Sequence, residues 1–104
     1  MTCSRSLTSN EIQTTASFWQ AYADLPADIK ERARRAFKLF QEGAGNPPFH
    51  PSLRIRKMQG HPDIWEGHVT LQYVFTFHIE TDLQTSETIY VFRNIGTHEI
   101  YRNP

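Results

Sequence analysis

Apolar and polar positions alternate most regularly over residues 65–79. Trp65, Gly67, Val69, Leu71, Tyr73, Phe75, Phe77 and Ile79 take the odd positions, and Glu66, His68, Thr70, Gln72, Thr76 and His78 the even ones. A period of two, rich in aromatic and β-branched residues, predicts strand with one apolar and one polar face. Leu53 and Ile55 alternate with Arg54 and Arg56 in the same way, just before Gly60, His61, Pro62 and Asp63. Those four residues suit a turn, so a hairpin is expected here, with a third strand after a bend near Thr70 and Gln72. Residues 80–87 are polar enough for an exposed loop, and residues 88–95 read as the last strand. Because Ile89, Tyr90, Val91 and Phe92 are all apolar, that strand is expected to be covered on both faces and to lie inside the sheet.

The first half of the chain has a different period. Thr14 or Thr15 is placed to cap a helix with Phe18, Tyr22 and Leu25 on one side, which Pro26 ends. The same proline suits the first turn of a second helix, where Asp28 favours the positive end of the helix dipole. Ile29, Ala33, Ala36, Phe37 and Phe40 form one apolar stripe. Gly43 and Gly45 are expected to stop that helix, and the proline-rich residues 46–51 to carry the chain across to the sheet. A brief strand fits residues 12–14, and the Ser- and Thr-rich residues 1–10 read as a loose tail. The expected fold is α+β: an N-terminal helical hairpin packed on one face of a mainly antiparallel sheet of four to five strands, a single domain over residues 1–104. The other face of that sheet is then expected to be open to solvent and to present Arg54, Arg56, Glu66, His68 and Thr76, with Lys57 a further candidate for it.

Composition narrows the picture. A chain of 104 residues buries about two thirds of its unfolded surface on folding and needs no staples. Eleven Lys and Arg balance eleven Asp and Glu, so no global field draws it onto nucleic acid. Arg54, Arg56 and Lys57 nevertheless make a local basic strip. A single cysteine, Cys3, forms no internal disulfide, and no apolar run approaches a membrane span, so a cytoplasmic protein is expected, with no membrane partner.

Five histidines invite a metal reading, but His50, His61, His68, His78 and His98 include no i, i+4 helical pair, and no metal or other cofactor is expected. There is no glycine-rich phosphate loop, and no serine or cysteine sits in a nucleophile's setting. What remains is acid–base chemistry. His68 stands on the polar strand face beside Glu66, and His98 follows the last strand in Gly96-Thr97-His98-Glu99-Ile100-Tyr101. Imidazoles exchange protons near neutral pH, and Arg54, Arg56 and Lys57 can hold a phosphate. Acid, base and cations on one face can cleave RNA through its own 2′-hydroxyl.

The order of these segments resembles the RelE/ParE superfamily of bacterial toxin-antitoxin toxins. The carriers are FWQAYADLP from Phe18, the helix with Ala33, Ala36 and Phe37, HPSLR from His50, KMQGHPDIWEGHV from Lys57, the aromatic run from Tyr73 to Phe77, and the closing GTHEIY. The resemblance implies a small cytoplasmic toxin neutralised by a cognate antitoxin whose extended or helical segment wraps it. In the RelE-like branch it further implies a metal-independent endoribonuclease that cuts mRNA on the ribosome and inhibits translation. On that match Glu66 and His68 lie on the cleft face, His98 falls where the branch carries Arg or His, and Tyr101 lies near its C-terminal aromatic. His68, His98 and Tyr101 are then the catalytic candidates, and Arg54, Arg56, Lys57, Glu66 and Gln72 the phosphate- and RNA-binding ones. Two positions depart from the pattern: Val74 stands where many of these nucleases carry an arginine, and Arg56 and Lys57 where histidine-using members have a histidine or an acid. The alternative is a non-nucleolytic interaction protein, either a ParE-like gyrase-directed toxin or an inactive antitoxin-binding homologue.

Overall fold

The computed structural model describes residues 10–45 and 48–104; of the expected loose tail, residues 1–9 lie outside them. Five strands and two helices follow in the order β1 (Asn10–Thr14), α1 (Ala16–Ala23), α2 (Ala27–Gly45), β2 (Arg56–Lys57), β3 (Trp65–His68), β4 (Tyr73–Thr81) and β5 (Thr88–Thr97). The sheet runs β1-β5-β4-β3-β2. Only β1 with β5 is a parallel pair; the remaining neighbours are antiparallel. Asn10, assigned to the tail by its polarity, belongs to β1 and pairs with Thr88.

Local signals explain the helices. Thr15 is the cap of α1, its hydroxyl accepting from the Phe18 amide at 3.1 Å, which satisfies one of the free donors at a helix start. In α2 the apolar stripe does what its spacing predicts: Ile29, Ala33, Ala36 and Phe40 are buried and Phe37 packs against them. Gly43 does not end α2, which continues to Gly45. Its missing side chain serves packing instead, since a Cβ there would lie 2.8 Å from the Phe49 Cα.

Both helices cover one face of the sheet, where Phe75, Phe77, Phe92 and Ile95 meet Phe18 and Phe40 in one core. Gly67 gives Phe75 its room: a Cβ would fall 2.3 Å from the ring tip and 2.8 Å from Ile55 Cδ1. Phe75 is fully buried among Phe37, Phe40 and Phe92 and has nowhere to move. Gly67→Ala is therefore expected to destabilise the fold by about 1–3 kcal/mol from overpacking, more than the ~0.4–1 kcal/mol recovered from a stiffer unfolded chain. Urea unfolding at equilibrium measures the difference.

The region before the first hairpin differs from its expected form. Residues 51–53 form a 3-10 turn and Arg54 is left-handed, with φ 49, so the alternation of Leu53 and Ile55 with Arg54 and Arg56 is not a strand. Strand β2 is confined to Arg56 and Lys57. Pro51 starts the turn, and its carbonyl takes the Arg54 amide at 3.1 Å, which prevents extension.

The second face of the sheet is not open. A 3-10 turn, His98–Arg102, leads the chain back across it. Asn103 and Pro104 then accept from Asn94 Nδ2 at 3.0 Å, Thr76 Oγ1 at 2.9 Å and Arg93 Nε at 3.2 Å. Ile100 sits directly over Gly96. Thr76 and Val74 are consequently fully buried and Glu66 nearly so, contrary to the expected row of exposed polar groups. A register shift helps: Thr76 faces Asn94 while Phe77 faces Phe92, leaving Arg93 as the extra residue. The bulge sends Phe92 and Ile95 into the core, and the side chains of Arg93 and Asn94 to the returning segment. Among the described residues no helix is long and apolar enough to cross a membrane.

Candidate active site

Strand β3 alternates, so Glu66 and His68 share the face opposite the helices, and the antiparallel register sets Arg56 across from Glu66. The returning 3-10 turn supplies the other half. Thr97 caps it, and His98 and Tyr101 follow on one side with ring centroids 5.3 Å apart. The His98 ring in turn stands 6.2 Å from that of His68, inclined at 60°. Two imidazoles remote in sequence thus meet at the edge of the roofed face.

Glu66 lies beneath this pair, with a relative exposure of 2 %. Its carboxylate accepts from Arg56 Nε, and Tyr101 stands in the same cleft wall, near enough for its hydroxyl to lower the carboxyl's pKa. Burial by itself would raise the Glu66 carboxyl, but the Tyr101 hydroxyl and the Arg56 guanidinium outweigh it and hold the carboxyl below its ordinary 4.5. For Tyr101 the effects add: burial first, then donation to the carboxylate, push the phenol up to about 12. Since the folded Glu66 value is the lower one, its stabilising contribution is complete above pH 4.5 and is lost as pH falls through the depressed folded value. Glu66→Gln is expected to flatten the decline in stability below pH 4.5, as read from urea midpoints across an acid series.

His68 has the opposite chemistry. Burial lowers its pKa below the ordinary 6.5; Glu66 pulls the other way, and the charges of His98, Arg54 and Arg56 add to the lowering. The ring is half-buried, and its Nδ1 is buried with no hydrogen-bond partner. Burial therefore favours the neutral ring.

The basic strip divides. Arg56 binds Glu66 through Nε alone and remains largely exposed at its terminal amino groups. Arg54, turned by its left-handed backbone, is exposed and close enough to act on His68. Lys57 follows the opposite parity: it pairs with Trp65, and its ammonium lies 5.7 Å from the indole centroid. Gln72 is exposed in the tight turn between β3 and β4, its amide bonded to Thr70 Oγ1 at 3.1 Å. Val74, where the family pattern has arginine, is fully buried opposite Gly96. A cleft of about 580 Å³ runs beside Arg56, Glu66 and Tyr101, with Gln59 and His61 also in its wall. Nothing local in the sequence marks those two, because only closure of the hairpin brings them there. A separate aromatic cleft of about 570 Å³ is bordered by Phe49, Trp65 and Tyr90, and neither cleft is lined by His68 or His98. Among the described residues no three His, Cys, Asp or Glu side chains are grouped to hold a metal.

Two helices on one face of this five-stranded sheet, with a short turn returning over the other, make the fold of the RelE/ParE-type toxins of toxin-antitoxin systems. The chain is similar to YafQ from E. coli, with TM-score 0.67 at 12% identity over 89% of this chain and 98% of that one. It is similar to a YoeB/ParE toxin from Agrobacterium tumefaciens, with TM-score 0.62 at 15% identity over 85% and 98%. A chain of the RelB-RelE antitoxin-toxin complex from Methanococcus jannaschii matches with TM-score 0.62 at 14% identity over 88% and 95%. At these identities the likeness is one of fold. No protein-family model matches the sequence, and no curated protein matches it.

Proposed function

We propose that this protein is the toxin of a toxin-antitoxin pair and works in the cytoplasm as a metal-independent endoribonuclease on ribosome-bound mRNA. The observation that carries the chemistry is the meeting of His68 and His98 at 6.2 Å beside two arginines. The toxin role is supported by the shared fold, and the antitoxin partner by the DinJ-YafQ and RelB-RelE complexes among the similar structures.

In this reading His68, kept neutral by burial, takes the proton from an RNA 2′-hydroxyl. The freed 2′-oxygen attacks the adjacent phosphorus, the bond from phosphorus to the 5′-oxygen breaks, and protonated His98 gives that oxygen its proton. A 2′,3′-cyclic phosphate and a 5′-hydroxyl end result. Arg56 and Arg54 offset the charge that grows on the phosphoryl oxygens. Tyr101 keeps its proton, so its part is to place His98, and Gln72 and Lys57 stand at the periphery for flanking RNA. The test is inducible expression in a bacterial host, with and without a neighbouring antitoxin gene, followed by mapping of transcript ends. New 5′-hydroxyl ends that vanish with the antitoxin, or in His98→Ala, support the reading. Growth arrest with intact transcripts and a DNA-damage response would replace it with the gyrase-directed alternative.

A further inference from the structure

Glu66 touches three elements at once. It belongs to β3, receives Arg56 from β2 and stands beside Tyr101 of the returning turn in one cleft wall. The remaining ties of that returning segment lie elsewhere. Asn103 and Pro104 are fixed to Asn94, Thr76 and Arg93, and Ile100 rests on Gly96. Next to His98 itself the hydrogen bonding is thin: the Thr97 hydroxyl accepts from the Glu99 amide at 3.5 Å, the outer limit for such a bond. The contact that reaches the histidine is the Tyr101 ring at 5.3 Å, and Tyr101 lines one cleft together with Glu66 and Arg56.

We propose that Glu66 is the positioning residue of the imidazole pair: one buried carboxylate anchors Tyr101, which sets His98 across from His68, and holds Arg56 by Nε so that its free amino groups face the same gap. The carboxylate is too deeply covered to meet RNA, so its effect on cleavage passes entirely through its two partners. Glu66→Gln keeps the size and loses the charge. Tyr101→Phe keeps the ring against His98 and loses only the hydroxyl. The activity arm of the test rests on the ribonuclease reading above; the structural arm does not.

The structural arm is NMR on the full chain with labelled histidine, reading the cross-relaxation between the His68 and His98 ring protons. It is expected in the wild type and strongly reduced in both variants, while amide signals of Asn94 and Asn103 stay in place. In single-turnover cleavage each variant is expected to be slower by about 10- to 100-fold, the scale of a small misplacement of reacting groups. The double variant is expected to be no slower than the worse single one, because both break the same link. Arg56→Ala is expected to slow single-turnover cleavage and leave the ring contact intact. The proposal is overturned if the ring contact survives in the folded variants, or if the two losses multiply. Should Glu66→Gln fail to fold, Tyr101→Phe decides alone. A wild type that cuts no RNA removes the ribonuclease reading, and the ring contact still judges Glu66.

Discussion

His98→Ala is expected to slow RNA cleavage by roughly 10²–10⁴-fold, the usual worth of one positioned acid–base group, with the fold unchanged. His98 is exposed and lies outside the core, so its removal opens no cavity. The pH profile gives the sharper test. In the proposed reaction His68 is the base and works only when neutral, and burial holds its pKa below 6.5. Activity should therefore persist as pH falls through 6.5 and decline only at lower pH. Plots of log(kcat/KM) against pH for both proteins read the acid limb and the loss in His98→Ala. An acid limb at or above 6.5, or equal rates for the two proteins, removes this assignment of roles.

The largest effect on stability is expected from Phe40→Ala, at about 3–5 kcal/mol. Phe40 is fully buried, and its ring centroid lies 4.6 Å from Phe49, 5.0 Å from Phe77, 5.0 Å from Phe92 and 5.3 Å from Tyr90. It ties α2 to β4, β5 and the crossing loop together, and truncation leaves a cavity among rings that cannot close over it. Domains of this size are stable by about 5–15 kcal/mol in total, and each kcal/mol moves Tm by roughly 4–8 °C. A melting point lowered by well over ~10 °C is expected. Leu83, 93% exposed in the loop after β4, is the control: Leu83→Ala is expected to change stability by less than about 0.5 kcal/mol.

How much of this was legible depends on the range over which each signal acts. The stripe from Ile29 to Phe40 and the alternation from Trp65 to Ile79 are set by side-chain direction within one element, so helix, strand and buried face followed directly. A threonine cap at Thr14 or Thr15 was legible for the same reason, and the structure places it at Thr15. The pattern over Leu53 and Ile55 misled because two alternations are too few to outweigh a proline that starts a turn. Gly43 misled because a glycine that admits a neighbour looks, along the chain, like one that ends a helix.

The chain by itself determined that two helices cover an apolar sheet face, and that His68, His98 and a few cations are the groups able to move protons and hold phosphate. Tertiary structure alone decided which of them meet. The return of His98–Arg102 over the sheet brought the two imidazoles together, buried Glu66 and Thr76, and left Lys57 over Trp65. The physical reason is that periodicity records which side of an element is apolar. What roofs the polar side depends on hydrogen bonds between residues far apart in sequence, such as Thr76 to Pro104 and Arg93 to Pro104.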